Sequence, residues 1–441
     1  MMDMEEGKLR EIESRILKRL KGKFVNIKNE KKQKDIIGGI AKAFLPDISS
    51  DEIDLILKNI LDLSPINDLL TSETIEDIMI NNTNSVFIYD SRDGFKKLDF
   101  KIESNEDLEF LVDKFKLFTT NETSNGNILD IQLPSKSRAN VISSPEGYNV
   151  TIRNFKPNPL SIIDLINSGE LDYQVAARLW IYIDGFGVRP ANILISGMPA
   201  AGKTTMLNSL FSFFRPEERV ISIEETYELD IKTQQNCVRL QTSLDMPMVD
   251  LVKNSLRMRS DKLIIGEVRG PEANDMITAM NIGKNVFGTI HGSSSRDVIN
   301  RLQNSPMNVP KDIIPVLDVI LTIGRVYENK NVKRKVVQIS EISGIESQIL
   351  LSDIYKFDYK THKALEITQS VTYRDNISQI LGISPVSFIN EENIRANMLY
   401  NMNKKGIRSI EGISNIVKEY YKDQESTLKK LGLNVKPAIE I

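Results

Sequence analysis

The stretch from Gly197 to Thr205 reads Gly-Met-Pro-Ala-Ala-Gly-Lys-Thr-Thr. Glycines at positions 197 and 202 let the chain turn tightly enough for backbone N–H groups to face one point. An apolar run, "NILIS", precedes the turn, and a helical pattern follows it. A helix N-terminus there adds a partial positive charge. Such a loop, between a strand and a helix, suits phosphate. Gly197, Met198, Pro199, Ala200, Ala201 and Gly202 would form the cradle. Lys203 would reach the outer phosphates, the Thr204 hydroxyl would ligate Mg²⁺, and Thr205 completes the set.

Acidic groups follow at two predicted strand ends. "ISIEETYELD" crowds Glu224, Glu225 and Glu228 together. Beside a phosphate, such carboxylates orient a metal or take a proton from water; elsewhere they are a solvated acidic loop. "DKLIIGEVRG" delivers Glu267 at the end of an apolar run, 64 positions after Lys203. A carboxylate there can polarise water or hold Mg²⁺ through water. One of only two histidines, His291, lies in "GTIHGSS", where small neighbours admit close approach to a ligand. His362 has no such context and reads as a surface residue. Arg257, Arg259, Arg239, Arg138 and Arg153 are candidates for neutralising phosphate charge, within one chain or across a subunit boundary. Each is otherwise an ordinary surface or salt-bridge arginine.

These residues need a scaffold. From Ser161 onward, short Val/Ile-rich runs alternate with helical patterns, which predicts a mainly parallel sheet covered on both faces. The predicted fold class is α/β, divided into five segments. These are a helical basic extension (1–60), a smaller α/β domain (61–155), a linker at "KPNPL" (156–160), a larger parallel-sheet domain carrying the phosphate loop (161–375) and a helical C-terminal region (376–441). In the last, Ile394, Met398 and Met402 share one stripe, and Ile410, Ile413, Val417 and Tyr420 another.

Bulk composition narrows the classes. The chain has 441 residues, 41% hydrophobic and 27% charged, with a net charge of −3. This is globular usage in two or three domains and lacks the basic excess of a dedicated nucleic-acid binder. A single cysteine, Cys237, excludes a disulfide framework and a cysteine-cage zinc site. It fits a reducing compartment, as a small residue beside a strand. The longest apolar run, "IIPVLDVILTIG", is too short to span a bilayer and carries Asp318. The acidic, helical N-terminus does not read as a signal peptide. Charge bias is confined to Lys8–Lys34, where eleven Lys/Arg face three Glu. That segment is a solvated face or a contact for acidic lipid or an acidic partner.

The order of the motifs resembles the secretion ATPases, the motors of type II and type IV secretion, type IV pili and the archaellum. Their Walker A loop, Asp box, Walker B ending in Gly-Glu and His box correspond to "GMPAAGKTT", "IEETYEL", "LIIGEVRG" and "GTIHGSS". "SPMNVPKDIIPVLDVIL" and "GIRSIEGISNIVKEYYKD" are most similar to the archaeal branch. The resemblance implies a RecA-like domain, ATP and Mg²⁺ as cofactors, and a homo-hexamer. It also implies a polytopic membrane platform protein as partner and a cytoplasmic location against the membrane. Carried over by motif, Lys203 and Thr204 hold nucleotide and metal, Glu267 is the Walker B acid, and His291 senses the γ-phosphate. Glu228 is the first choice for general base and Glu224 the second. Met198, Ala201 and Glu225 depart from common family choices without removing backbone donors or charge. Lys114 stands where relatives often carry arginine, which removes support for a nucleotide contact there.

The function expected is Mg²⁺-dependent ATP hydrolysis driving filament assembly, filament rotation or protein export. Two rivals share the loop. A RecA-like nucleic-acid translocase requires basic, aromatic-lined grooves, of which the motor half shows no cluster. An ATP-gated adaptor without turnover does not need the full acid and histidine set.

Overall fold

A computed structural model describes residues 6–21, 29–122, 127–154, 159–243, 245–328, 331–361, 363–366 and 372–439. His362, most of the "KPNPL" linker and part of the basic 8–34 segment lie outside the described residues. The chain divides into two compact units, Met1–Pro157 and Asn158–Ile441.

The first unit holds a seven-stranded antiparallel sheet. Its strands are β1 (Ile75–Asn82), β2 (Ser85–Asp90), β3 (Gly94–Lys97), β4 (Thr119–Glu122), β5 (Ile128–Gln132), β6 (Arg138–Ser144) and β7 (Gly147–Arg153). The spatial order is β3-β2-β1-β7-β6-β5-β4. Alternation along the strands turns Ile78, Ile80, Leu129, Ile131, Val141, Val150 and Ile152 to one face. Helices Glu6–Leu20, Glu30–Phe44, Ser50–Leu61 and Asn105–Lys116 put their apolar stripes into that same core. The described residues of the 1–60 segment share this core, with Ile12, Ile16 and Leu20 buried among the sheet's own side chains. Lys114 is buried too. Its ammonium donates to the Asp62 carbonyl at 2.7 Å and stitches two segments of this core.

The second unit is built on nine strands. They are β8 (Ile193–Gly197), β9 (Val220–Glu224), β10 (Cys237–Gln241), β11 (Lys262–Val268), β12 (Asn285–Ile290), β13 (Val319–Glu328), β14 (Asn331–Ile345), β15 (Ile349–Asp358) and β16 (Lys363–Glu366). The order is β10-β9-β11-β12-β8-β13-β14-β15-β16. The first six of that series pair in parallel and the last three add antiparallel. In β8, Ile193 and Ile195 enter one core while Leu194 enters another. β9 divides the same way, Val220 to one side and Ile221 and Ile223 to the other. Both faces are buried, which is why these strands read as unbroken apolar runs.

One face carries helices Tyr173–Asp184, Lys203–Leu210, Pro385–Lys404 and Ile410–Lys422. The other carries Met248–Ser255, Glu272–Asn281 and Ser295–Gln303. The C-terminal helices thus belong to the sheet's own core. Fully buried Arg395 pins them there, donating to Asp184 at 3.0 Å and to Glu391 at 2.9 Å. Trp180 stacks on Phe213 with ring centres 5.1 Å apart. Among the described residues, no helix is long and apolar enough to cross a membrane.

Candidate nucleotide site

Parallel strands present ligands at their carboxyl ends, and the register here aligns several such ends. Ile290 pairs with Ser196, so His291 follows β12 beside Gly197 at the end of β8. Ile265 pairs with Ile223, so Glu267 and Glu224 end adjacent strands on the same edge.

The loop leaving β8 is tight and strained. Gly197 has no room for a side chain, since a Cβ would lie 2.8 Å from the Ile323 carbonyl on β13. Ala200 and Gly202 both take the left-handed conformation, with φ of 58° and 100°. For alanine that conformation is uncommon. The reversals come directly before the helix that begins at Lys203, with the Ala201 N–H closing the turn onto the Met198 carbonyl at 3.1 Å. Met198 is exposed, Ala201 buried, and Lys203, Thr204 and Thr205 half-exposed at the helix mouth.

A polar chain crosses the strand ends. The Lys203 ammonium donates to the Gly197 carbonyl at 3.2 Å and stands 3.4 Å from His291 Nδ1. His291 Nε2 lies 2.6 Å from Glu267 Oε1. The other Glu267 oxygen accepts from Arg269 at 2.6 Å, and Arg269 reaches Glu225 at 3.2 Å. Burial, then the Lys203 charge, holds the imidazole below its ordinary pKa, with the Glu267 charge and a hydrogen bond to the Gly197 backbone acting the other way. Nε2 stands beside Glu267 Oε1, a buried oxygen that makes no hydrogen bond among the described residues. Burial pushes the Glu267 carboxyl up, but Arg269, His291 and Lys203 outweigh it and hold it below its usual value. Burial lowers Lys203, partly offset by Glu267. An ammonium, a neutral imidazole and an ionised carboxylate therefore meet at one edge.

The Asp-box carboxylates have separate fates. Glu224 is buried, and one oxygen accepts from the N–H groups of Glu228 and Leu229 at 2.7 and 2.8 Å. Arg239 donates to the other at 3.3 Å. Glu224 thus shapes the turn that carries Glu225 and Glu228, and its candidacy as general base has no exposed oxygen to support it. Glu228 keeps a half-exposed side chain, and its charge acts on both Lys203 and Arg269.

Arg257 and Arg259 do not join this constellation within the chain. They precede β11, at the amino edge of the sheet, and are exposed. Five residues of strand, roughly 17 Å, separate that edge from Glu267. Arg138 and Arg153 are cross-strand partners in the first unit, held near Asp130 at 3.6 Å and Asp77 at 3.2 Å. Sequence reading missed three contributors: Arg269, Arg334 and Glu170. Arg269 stood within the quoted "GEVRG" motif. Arg334 and Glu170 carried no sequence signal, because only the fold brings them to the loop. Arg334 Nε donates to the Ala200 carbonyl at 3.2 Å. Among the described residues, no three His, Cys, Asp or Glu side chains gather as a metal cluster.

Against known families, residues 59–340 match the model described as "Type II/IV secretion system protein". The chain belongs to that family. This type II/IV secretion family member is 38% identical over 232 residues to the uncharacterized protein MJ0781 of Methanocaldococcus jannaschii, covering 50% of this chain and 32% of that one. It is 32% identical over 309 residues to MJ0900 of the same organism, covering 67% of this chain and 55% of that one. A probable conjugal transfer protein, TrbB of Sinorhizobium fredii, is 30% identical over 212 residues, covering 46% of this chain and 62% of its own length. The chain thus spans from 32% to 62% of the length of these relatives.

Proposed function

We propose that this family member is a Mg²⁺-dependent ATPase, with Asn158–Ile441 as its RecA-like motor domain. Supporting this above all is the meeting of Lys203, His291 and Glu267 at the carboxyl ends of neighbouring parallel strands. The loop from Gly197 to Gly202 would hold ATP phosphates by backbone N–H groups, with Lys203 neutralising outer phosphate charge. Thr204 would ligate Mg²⁺, with Glu267 holding it through water, and the bound ion would neutralise charge between the outer phosphates. Glu228 accepts a proton from the attacking water, and Glu267 orients that water by its fixed carboxylate. His291 would report what occupies the phosphate cradle, because its two nitrogens stand beside Lys203 and Glu267.

The working assembly in this reading is a homo-hexamer. Arg138, Arg153, Arg257 or Arg259 of a neighbour would supply the charge that one chain does not place at its own site. Hydrolysis would move the two units about the 156–160 segment. The ring would serve a polytopic membrane protein at the inner face of the cell membrane, with the basic 8–34 stretch on acidic lipid. It would power a pilus-like or archaellum filament, or protein export. No nucleic acid is required. Phosphate release from ATP and Mg²⁺, compared between the natural chain and Lys203→Ala, tests the reading; equal release in both contradicts it.

A further inference from the structure

The phosphate loop rests against a group that its proposed ligand should repel. Glu170, in the turn between helices Ile162–Asn167 and Tyr173–Asp184, is only 6% exposed. Its backbone is fixed, the carbonyl accepting from the Val336 N–H of β14 at 2.8 Å. Its Oε1 is buried and makes no hydrogen bond among the described residues. That oxygen lies 3.7 Å from where a Cβ on Gly202 would stand, and the Arg334 Cδ lies 3.3 Å from the same point. Arg334 also grips the loop directly, through the Ala200 carbonyl. A buried carboxylate and an arginine thus converge behind the residues that would hold phosphate.

We propose that Glu170 and Arg334 are positioning residues of the phosphate loop and couple nucleotide binding to the uptake of one proton. The inference rests on the nucleotide reading above. A carboxylate without a hydrogen-bond partner, in low dielectric, favours its protonated form. Burial pushes Glu170 up to about 7, with the Arg334 charge the opposing influence. Among the described residues, the charge acting on it is that of Arg334. β14 presents Arg334; Lys335 turns to the Phe357 ring. The loop presents the backbone of Gly202, and Lys203 faces Gly197 and His291. Phosphate arriving on the other side of Gly202 adds negative charge near Glu170, so the bound state favours the proton more strongly than the free state. The proton comes from solvent, and no bond of the nucleotide is broken.

ADP binding to the full chain, measured by calorimetry at pH 6, 7 and 8 in buffers of different ionisation heat, tests this. Glu170→Gln keeps the shape and removes the titration. Comparing the two proteins cancels the titration of ADP and of His291. The natural chain should take up a proton near pH 7 that the variant does not. Its affinity should fall on the order of tenfold relative to the variant between pH 6 and 8. Arg334→Lys, which keeps the charge but loses the Nε donor, should bind roughly 2- to 10-fold more weakly at all three pH values with its unfolding temperature unchanged. Identical pH dependence and proton uptake in the natural chain and Glu170→Gln overturn the coupling. Natural chain that binds no ADP at any pH overturns the nucleotide reading itself, and this proposal with it.

Discussion

His291 Nε2 stands 2.6 Å from Glu267 Oε1, and the same imidazole turns its other nitrogen to Lys203. One ring therefore links the residue that would grip phosphate to the residue that would orient water. His291→Ala cuts that link and leaves the backbone cradle and the Lys203 bond to Gly197 in place. ATP affinity should stay within a few-fold of the natural chain while turnover falls about 10²-fold, the scale of losing one positioned group. Equal losses in affinity and turnover would place His291 in binding alone.

In the proposed ring, arginines supplied by a neighbour would make activity depend on assembly. Turnover per chain should rise with protein concentration, and mixtures of Lys203→Ala with an arginine-to-alanine variant should recover activity that neither has alone. Arg138, Arg153, Arg257 and Arg259 should be tested singly. Specific activity that stays flat across a dilution series contradicts the ring.

Glu170 also marks the stability curve. Its native pKa of about 7 lies above the ordinary 4.5, so between those values the folded chain keeps a proton that the unfolded chain has lost. Stability from this group is complete below pH 4.5 and is lost as pH rises through 7. Glu170→Gln should therefore raise the unfolding temperature at pH 8 relative to pH 5. The gain should be on the order of 3 kcal/mol or less. A difference that does not change with pH contradicts the assignment.

Arg395 is fully buried between Asp184 and Glu391. Arg395→Met leaves two carboxylates in the core without their cation, at a cost of about 3–5 kcal/mol. Denaturant unfolding of the second unit should show it; a change below about 1 kcal/mol would mean water reaches the cluster.

What could be read from the chain followed local pattern. The parallel strands were legible because burial on both faces makes them continuous apolar runs. Lys203, Glu267 and His291 were legible because each follows such a run. β14 was not, since "VKRKVVQISEISGI" mixes lysines with apolar residues on a strand with one partly wet face. Helix Pro385–Lys404 packs several sides, so its buried Arg395 and Glu391 look like surface residues in one dimension. Glu224 and Glu228 sit four residues apart with the same chemistry. Only the turn that buries the first separates structural anchor from candidate base. Glu170 and Arg334 meet through the insertion of β14 beside β13, which no local pattern announces.

The most direct test is Glu267→Gln under saturating ATP and Mg²⁺. The substitution keeps the cradle of Gly197–Thr204 and removes only the carboxylate charge at the end of β11. ATP affinity should remain near that of the natural chain, and phosphate release should slow by at least ~10²-fold. Phosphate release within a few-fold of the natural chain would contradict the account.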